Sequence, residues 1–329
     1  MRIGIIGTGR IAHRCVAEAG TVEGIKVYAA CNPKLESAKR FAEEENIPFY
    51  TADVMELVRE VDAVYIATPH QTHYGYAKKT LENGIHVLCE KPMVLEEQQA
   101  RELFEIAREH NCILMEAVKT AYCPGFRQLL DVVRSGKIGE VCDVEACFSR
   151  LTPSNVREMT DLEYGGSFTE LATYSMLPIV KLLGTDHVDV RFHSILGVNG
   201  LDMYTKAYFD FGKATGVVKA GLGVKSEGQL VIAGTKGYIL AESPWWLTRK
   251  FEVRYEDPNK RELYNASFEG QGLRYELQEF VNQIAKRTTD GGKFAEVGLT
   301  QQESIWMAGV MEKFLEERKA HSVEKEQKK

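Results

Sequence analysis

The sequence predicts an α/β protein: an N-terminal doubly wound parallel sheet followed by an α+β domain with a large, open, mainly antiparallel sheet. Three observations lead there. From residue 2 to about 118, short continuous apolar runs alternate with amphipathic segments, as parallel strands covered on both faces by helices require. Beyond about residue 120 the runs acquire period-2 character and are separated by turns bearing Gly, Asn or Asp, which favours antiparallel pairing. The 329 residues also exceed what one ordinary core serves, so the chain divides into expected domains 1–120 and 121–329.

Taken in order, RIGIIG is the first strand, and the apolar spacing from Ile11 to Ala19 makes the first helix. IKVYAAC, VDAVYIATP, IHVLCEKP and ILMEAV are further strands. LESAKRFAEEE, HYGYAKKTLENG and LEEQQARELFEIAREHN are the helices between them. The second domain opens with a helix, FRQLLDVVRSG. Strands EVCDVEACFS, DVRFHSILG, MYTKAYFDFG, TGVVKAGLGV, QLVIAGTKGYILAE and KFEVRYED follow. Two helices come last: RYELQEFVNQIAKR, and a segment from about Thr300 to Arg318 whose Trp306, Met307, Met311 and Phe314 form an amphipathic core face. The tail SVEKEQKK is too polar to fold alone.

A net charge of −6, made of interspersed charges of both signs, offers no basic face to nucleic acid or anionic lipid, which leaves a small molecule as the expected partner. Seven cysteines include no CxxC pair, and Cys31 and Cys89 sit in apolar runs as small hydrophobes, so no metal site or disulfide framework is expected. No cleavage pattern follows MRIGIIGTGR and no apolar run reaches about 18 residues, so the expected compartment is the cytoplasm.

Gly7-Thr8-Gly9-Arg10-Ile11-Ala12 lies between the first strand and the first helix, the context that a G-x-G-x-x-G/A dinucleotide fingerprint needs. Gly7 permits the tight turn, Gly9 lets the backbone approach a pyrophosphate, and Ala12 allows close helix packing. The helix start then supplies N–H donors and a positive dipole end. Such a Rossmann unit commonly carries an acidic residue at the end of its second strand for the ribose 2′-hydroxyl. Here that strand ends Cys31-Asn32-Pro33-Lys34. With no carboxylate to repel a 2′-phosphate and Lys34 nearby, the cofactor is NAD(P), with a lean to NADP; Asn32-Pro33 as a plain turn with a solvated Lys34 is the alternative.

Ligands of an open α/β sheet sit beyond the carboxyl ends of its strands. Two of those ends read Thr68-Pro69-His70-Gln71-Thr72-His73 and Cys89-Glu90-Lys91-Pro92. The glycine segment, Ala67-Thr68-Pro69 with His73, Gly84-Ile85-His86-Val87 and Glu90-Lys91-Pro92, in this register, resemble the Gfo/Idh/MocA family over essentially the whole chain. The resemblance implies a pyridine nucleotide-dependent oxidoreductase of sugars, polyols, cyclitols or dihydrodiols, with a second domain whose sheet often makes oligomer contacts. A homo-oligomer, dimer or tetramer, is thus expected. Lys91 matches the active-site lysine, and Thr68 and Pro69 match cofactor-lining positions. His73 reads as a loop or helix-cap residue, and the His70/His73 pair lacks a third metal ligand. The expected cofactor set is Gly7, Thr8, Gly9, Arg10, Ile11, Asn32, Lys34, Thr68, Pro69, His70, His73, Glu90 and Lys91.

Gly165-Gly166-Ser167-Phe168-Thr169-Glu170-Leu171-Ala172-Thr173-Tyr174 aligns without gaps with the last ten positions of the family's G-G-G-x-L-x-D-x-G-x-H/Y segment. Glu170 stands at the aspartate position and Tyr174 at the catalytic His/Tyr position, four residues apart and so on one helix face. The tyrosine form is similar to the glucose-fructose oxidoreductase and dimeric dihydrodiol dehydrogenase branches. A phenol titrating near pH 10 is a natural acid, and becomes a base when a cation stabilises the phenolate. The expected catalytic group is Tyr174 as acid/base, Lys91 as orienting cation and Glu170 as substrate-hydroxyl acceptor. For Glu170 a capping box with Ser167 is the alternative. Arg157 reads either as a clamp for an acidic substrate or as an exposed loop residue. Pro244-Trp245-Trp246 reads as a site wall, an interface or simple burial. Glu for Asp and Ala172 for Gly depart from the family pattern, and keep open a catalytically weak nicotinamide-binding sensor.

Overall fold

The computed structural model describes residues 1–290 and 298–327. They fall into two compact units, one of Met1–Tyr122 with Glu269–Ile305 and one of Cys123–Phe268 with Trp306–Lys329.

The first unit alternates β1 (Arg2–Ile6), α1 (Arg10–Ala19), β2 (Lys26–Cys31), α2 (Leu35–Glu45), β3 (Phe49–Thr51), α3 (Val54–Val58), β4 (Ala63–Ile66), α4 (His73–Glu82), β5 (His86–Glu90), α5 (Glu97–Glu109) and β6 (Leu114–Ala117). All of its strand pairings are parallel, in the order β3-β2-β1-β4-β5-β6. Every residue of β4 is buried, which is why that run carries no polar alternation. The order reverses between β1 and β4, and the crevice at such a switch point is where a nucleotide binds. The helix read from RYELQEFVNQIAKR, Leu273–Asp290, belongs to this unit and packs on α1. There Arg274 Nε donates to Glu18 Oε2 at 3.1 Å, and the Gln271 and Arg274 backbone N–H groups donate to the same carboxylate. The two partners are 256 residues apart, a relation that local periodicity cannot register.

The second unit begins with α6 (Pro124–Arg134), β7 (Val141–Ser149), α7 (Arg157–Thr160) and α8 (Ser167–Leu183). Strands β8 (Asp189–Leu196), β9 (Asp202–Asp210), β10 (Thr215–Gly221), β11 (Leu230–Gly234), β12 (Gly237–Ala241), β13 (Lys250–Arg254) and β14 (Arg261–Asn265) complete an eight-stranded sheet. Its order is β14-β13-β12-β11-β7-β10-β9-β8, and it is antiparallel apart from β7 with β10. One face carries α8, packed on β7, β9 and β10, where Val144, Ala146, Ala207, Val218 and Ala220 are buried. With the Leu273–Asp290 helix numbered α9, the last element is α10 (Gln301–Gln327). It runs through most of the tail that sequence polarity assigned to an unfolded end: once a helix is nucleated upstream, adding polar residues costs little. No helix among the described residues is long and apolar enough to cross a membrane.

Candidate active site

In the first unit, Gly7 follows β1 at φ 101°, and a Cβ there would lie 2.4 Å from the Ala67 carbonyl oxygen. Only glycine fits that turn. Gly9 is different: it is extended, and a Cβ built on it meets no atom within 4 Å. Its smallness leaves open space in front of α1. Gly9 stands at the N-cap of α1 and brings no side chain to the first turn, which opens with Arg10 and Ile11. A helix start with glycine at its N-cap and room beside it fits a pyrophosphate. Asn32 spans the neighbouring loops: its Nδ2 donates to Thr8 Oγ1 at 2.9 Å, and its Oδ1 accepts from the Lys34 N–H at 2.9 Å. It fixes the glycine loop against the start of α2, while the Lys34 side chain is exposed.

At the end of β4, Thr72 Oγ1 donates to Thr68 Oγ1 at 2.7 Å, and Pro69 leads a short turn through His70 into α4. His73 is wholly buried, with ring nitrogens 2.9 Å from the Pro92 and Thr68 carbonyl oxygens. Burial, reinforced by His70, pushes the His73 imidazole down to about 4, so the ring is neutral and donates to one carbonyl at a time. It stands at the C-cap of the short turn and struts the two strand ends together. His70 is also buried, edge-on to His73 at 5.7 Å. Among the described residues no group of three or more His, Cys, Asp or Glu is arranged to hold a metal ion.

Glu90 turns inward from the end of β5. It accepts a hydrogen bond from the Tyr65 hydroxyl and another, at 3.3 Å, from the Lys91 backbone N–H. Burial raises its carboxyl pKa, opposed by the Lys91 ammonium and the Tyr65 hydroxyl. Lys91 is half-buried at the carboxyl end of the sheet. The backbone beyond it is pinned: the Met93 N–H donates to Glu116 Oε1 at 3.0 Å.

In the second unit the glycine pair leads directly into α8. Gly166 has φ 103°, and a Cβ there would fall 2.0 Å from Asp202 Oδ1. That carboxylate caps the helix, accepting the Phe168 N–H on Oδ2 at 2.8 Å; Thr205 Oγ1 donates to Oδ2 at 2.9 Å and Arg318 Nη1 to Oδ1 at 3.1 Å. The Ser167–Glu170 capping box does not form. Ser167 Oγ donates to the Asp202 carbonyl and accepts from the Leu222 N–H. Glu170, 6 % exposed, accepts instead from Arg157 Nη2 at 2.8 Å. Arg157 is therefore neither loose nor an uncommitted clamp, and its second neighbour is Asp161 at 3.9 Å.

From Ser167 to Val180 every α8 residue is buried except Tyr174. Ala172 is among the buried ones, so its methyl lies inside the protein. Tyr174 leans on Phe148 of β7 at 5.2 Å between ring centroids, and Phe148 stacks on Trp246 at 3.7 Å with 9° between planes. Phe148 and Trp246 are half-buried. Trp245 is core, its Nε1 donating to the Cys147 carbonyl at 2.8 Å. Phe148 escaped the sequence reading, although its signal was present as the last apolar residue of an alternating strand. A phenol beside a two-ring shelf, with a carboxylate one turn earlier, can seat an apolar ring face and exchange a hydroxyl proton.

Comparison with known proteins agrees with both units. A model described as oxidoreductase family, NAD-binding Rossmann fold, matches residues 1–118, and one described as GFO/IDH/MocA C-terminal domain matches residues 126–240. Among similar proteins is a trans-1,2-dihydrobenzene-1,2-diol dehydrogenase of Xenopus laevis, 27% identical over 95% of this chain and 97% of that one. Another is the scyllo-inositol 2-dehydrogenase (NADP(+)) of Bacillus subtilis, 27% identical over 95% of each chain. Of solved structures, a 3-ketoreductase from Actinomadura kijaniata in complex with NADP and TDP-benzene superposes with a TM-score of 0.78 at 22% identity, over 94% of this chain and 95% of that one.

Proposed function

Starting from a chain that belongs to the Gfo/Idh/MocA family of oxidoreductases, we propose that it transfers hydride between NADP(H) and the carbinol or carbonyl carbon of a cyclic diol, cyclitol or sugar. One observation carries the substrate class: between Ser167 and Val180 of α8 Tyr174 is the one residue that is not buried, and it adjoins the Phe148–Trp246 shelf. Aromatic faces of this kind receive the apolar face of a ring. Preference for NADP is supported by Asn32 in place of a carboxylate at the end of β2 and by the exposed Lys34.

When bound, the nicotinamide accepts or returns the hydride. The residues handle the proton. In the oxidative direction Tyr174 takes the hydroxyl proton as the C–H bond breaks, and in reduction it returns that proton to the new alkoxide. Lys91, at the carboxyl end of the first unit's sheet, offers an ammonium that orients a substrate hydroxyl. Glu170, held by Arg157, accepts a neighbouring substrate hydroxyl. Assembly as a dimer or tetramer through the second unit's sheet belongs to the same proposal, supported by exposed Ile195, Tyr208 and Leu263 on its strands.

The test is turnover with a panel of cyclic diols, cyclitols and sugars, followed by nicotinamide absorbance with NAD and NADP. Oxidation of a ring diol faster with NADP supports the proposal. Tight cofactor binding without turnover across the panel would make the protein a sensor.

A further inference from the structure

The reactive lysine is carried by a three-residue turn, Lys91-Pro92-Met93, whose backbone is held by three side chains from different elements. Glu90 accepts the Lys91 N–H at 3.3 Å, a His73 ring nitrogen lies 2.9 Å from the Pro92 carbonyl, and Glu116 of β6 accepts the Met93 N–H at 3.0 Å. The third hold differs from the others. Glu116 is 4 % exposed, and its second oxygen, Oε2, is buried without a hydrogen bond of good geometry, although the nearby Ser304 hydroxyl still favours the charged carboxyl. A buried carboxylate oxygen without a well-aligned hydrogen bond makes ionisation expensive, whereas the neutral acid tolerates the site. Its acceptor bond to Met93 is, however, stronger when the carboxyl is charged.

We propose that Glu116 is a positioning residue whose protonation state sets how firmly the turn holds Lys91, so that the reaction acquires a pH limb belonging to neither Lys91 nor Tyr174. This rests on the role given to Lys91 above. Burial pushes the Glu116 carboxyl up to about 7, against the pull of the Met93 N–H, the Ser304 hydroxyl and the Lys91 ammonium. Other groups facing it are Glu90, which raises it further, the Cys89 thiol on β5 and the Tyr122 phenol. Burial raises the pKa of both Cys89 and Tyr122 well above the ordinary range, so neither titrates near neutrality. His73, on the far side of the turn, titrates near 4.

As pH rises through about 7, Glu116 ionises, its bond to Met93 tightens, and kcat rises. Glu116→Gln keeps an acceptor and cannot ionise; Glu116→Ala has none. The expected result is a wild-type kcat limb near pH 7 that is flat in E116Q, and a kcat reduced about 10-fold in E116A at all pH, rescued by Gln. A readout independent of turnover accompanies it. Lysines are dimethylated with ¹³C-formaldehyde, the Lys91 resonance is assigned by its loss in Lys91→Ala, and its shift is followed with pH. An inflection near 7 in wild type, missing in E116Q, supports the proposal. A smooth wild-type curve through pH 7, or the same inflection in E116Q, overturns it. If the inflection is present while Lys91→Ala keeps full turnover, the role of Lys91 fails and the coupling of Glu116 to the turn stands.

Discussion

Asp202→Ala should destabilise the second unit by roughly 3–4 kcal/mol, because one carboxylate does three jobs there. It caps α8 through the Phe168 N–H, receives Thr205 Oγ1, and neutralises Arg318. Loss of a helix cap costs about 1 kcal/mol. Removing one partner of a buried ion pair costs about 3–5 kcal/mol, and here Asp202 has no exposed side-chain surface while that of Arg318 is 9% exposed. The two penalties share one carboxylate and do not add fully. Arg318 keeps the Gly165 and Glu163 carbonyls as acceptors, which places the total at the lower end. All three tryptophans, at 245, 246 and 306, lie in the second unit, so fluorescence follows its unfolding. For a unit of this size the loss corresponds to a drop in Tm of roughly 6–16 °C. Replacing both charges, Asp202→Leu with Arg318→Met, should recover part of it, since no unpaired charge is then buried. A Tm within 2 °C of wild type for Asp202→Ala would refute the reasoning.

Two further outcomes are expected. Phe148→Ala and Trp246→Ala, each removing a ring of the shelf, should raise KM for a cyclic substrate by about 10-fold while leaving the Kd of the nicotinamide cofactor unchanged; equal KM values would remove the shelf from the site. Glu116 titrates at about 7 in the folded protein and at 4.5 when unconstrained, so between those values the native state binds more protons than the unfolded state. Its contribution to stability is complete below about 4.5 and is lost as pH rises to about 7. Glu116→Gln, which never ionises, should gain on wild type by roughly 3 kcal/mol between pH 4.5 and 8, read as a widening Tm difference; a constant difference contradicts the buried carboxylate.

Much of the first unit was legible because its signals are local. Gly7 needs φ > 0, and uninterrupted apolar runs such as AVYI, alternating with amphipathic helical segments, read as strands covered on both sides. Strand β3 and helix α3, of three and five residues, are too short to establish a period. RELYN, β14, is an edge strand with too little apolar content to read as one. The site shows the same division. Glu170 and Tyr174 were placed on one face by their spacing, whereas the cap of α8 comes from Asp202, 34 residues beyond Phe168. The Ser167-x-x-Glu170 pattern was a sound local reading that lost to a carboxylate brought in by the sheet. Arg157 and Phe148 follow the same rule, since tertiary neighbours set their placement.

The most direct test of the account is single-turnover reduction or oxidation by Lys91→Ala and Tyr174→Phe, with cofactor binding measured alongside by nicotinamide fluorescence. The account predicts a hydride-transfer rate at least about 10²-fold below wild type in each variant, with Kd for the nicotinamide cofactor unchanged in Tyr174→Phe. A near-wild-type rate for Tyr174→Phe would mean that the proton is handled elsewhere, and would contradict the chemistry assigned to the accessible phenol of α8.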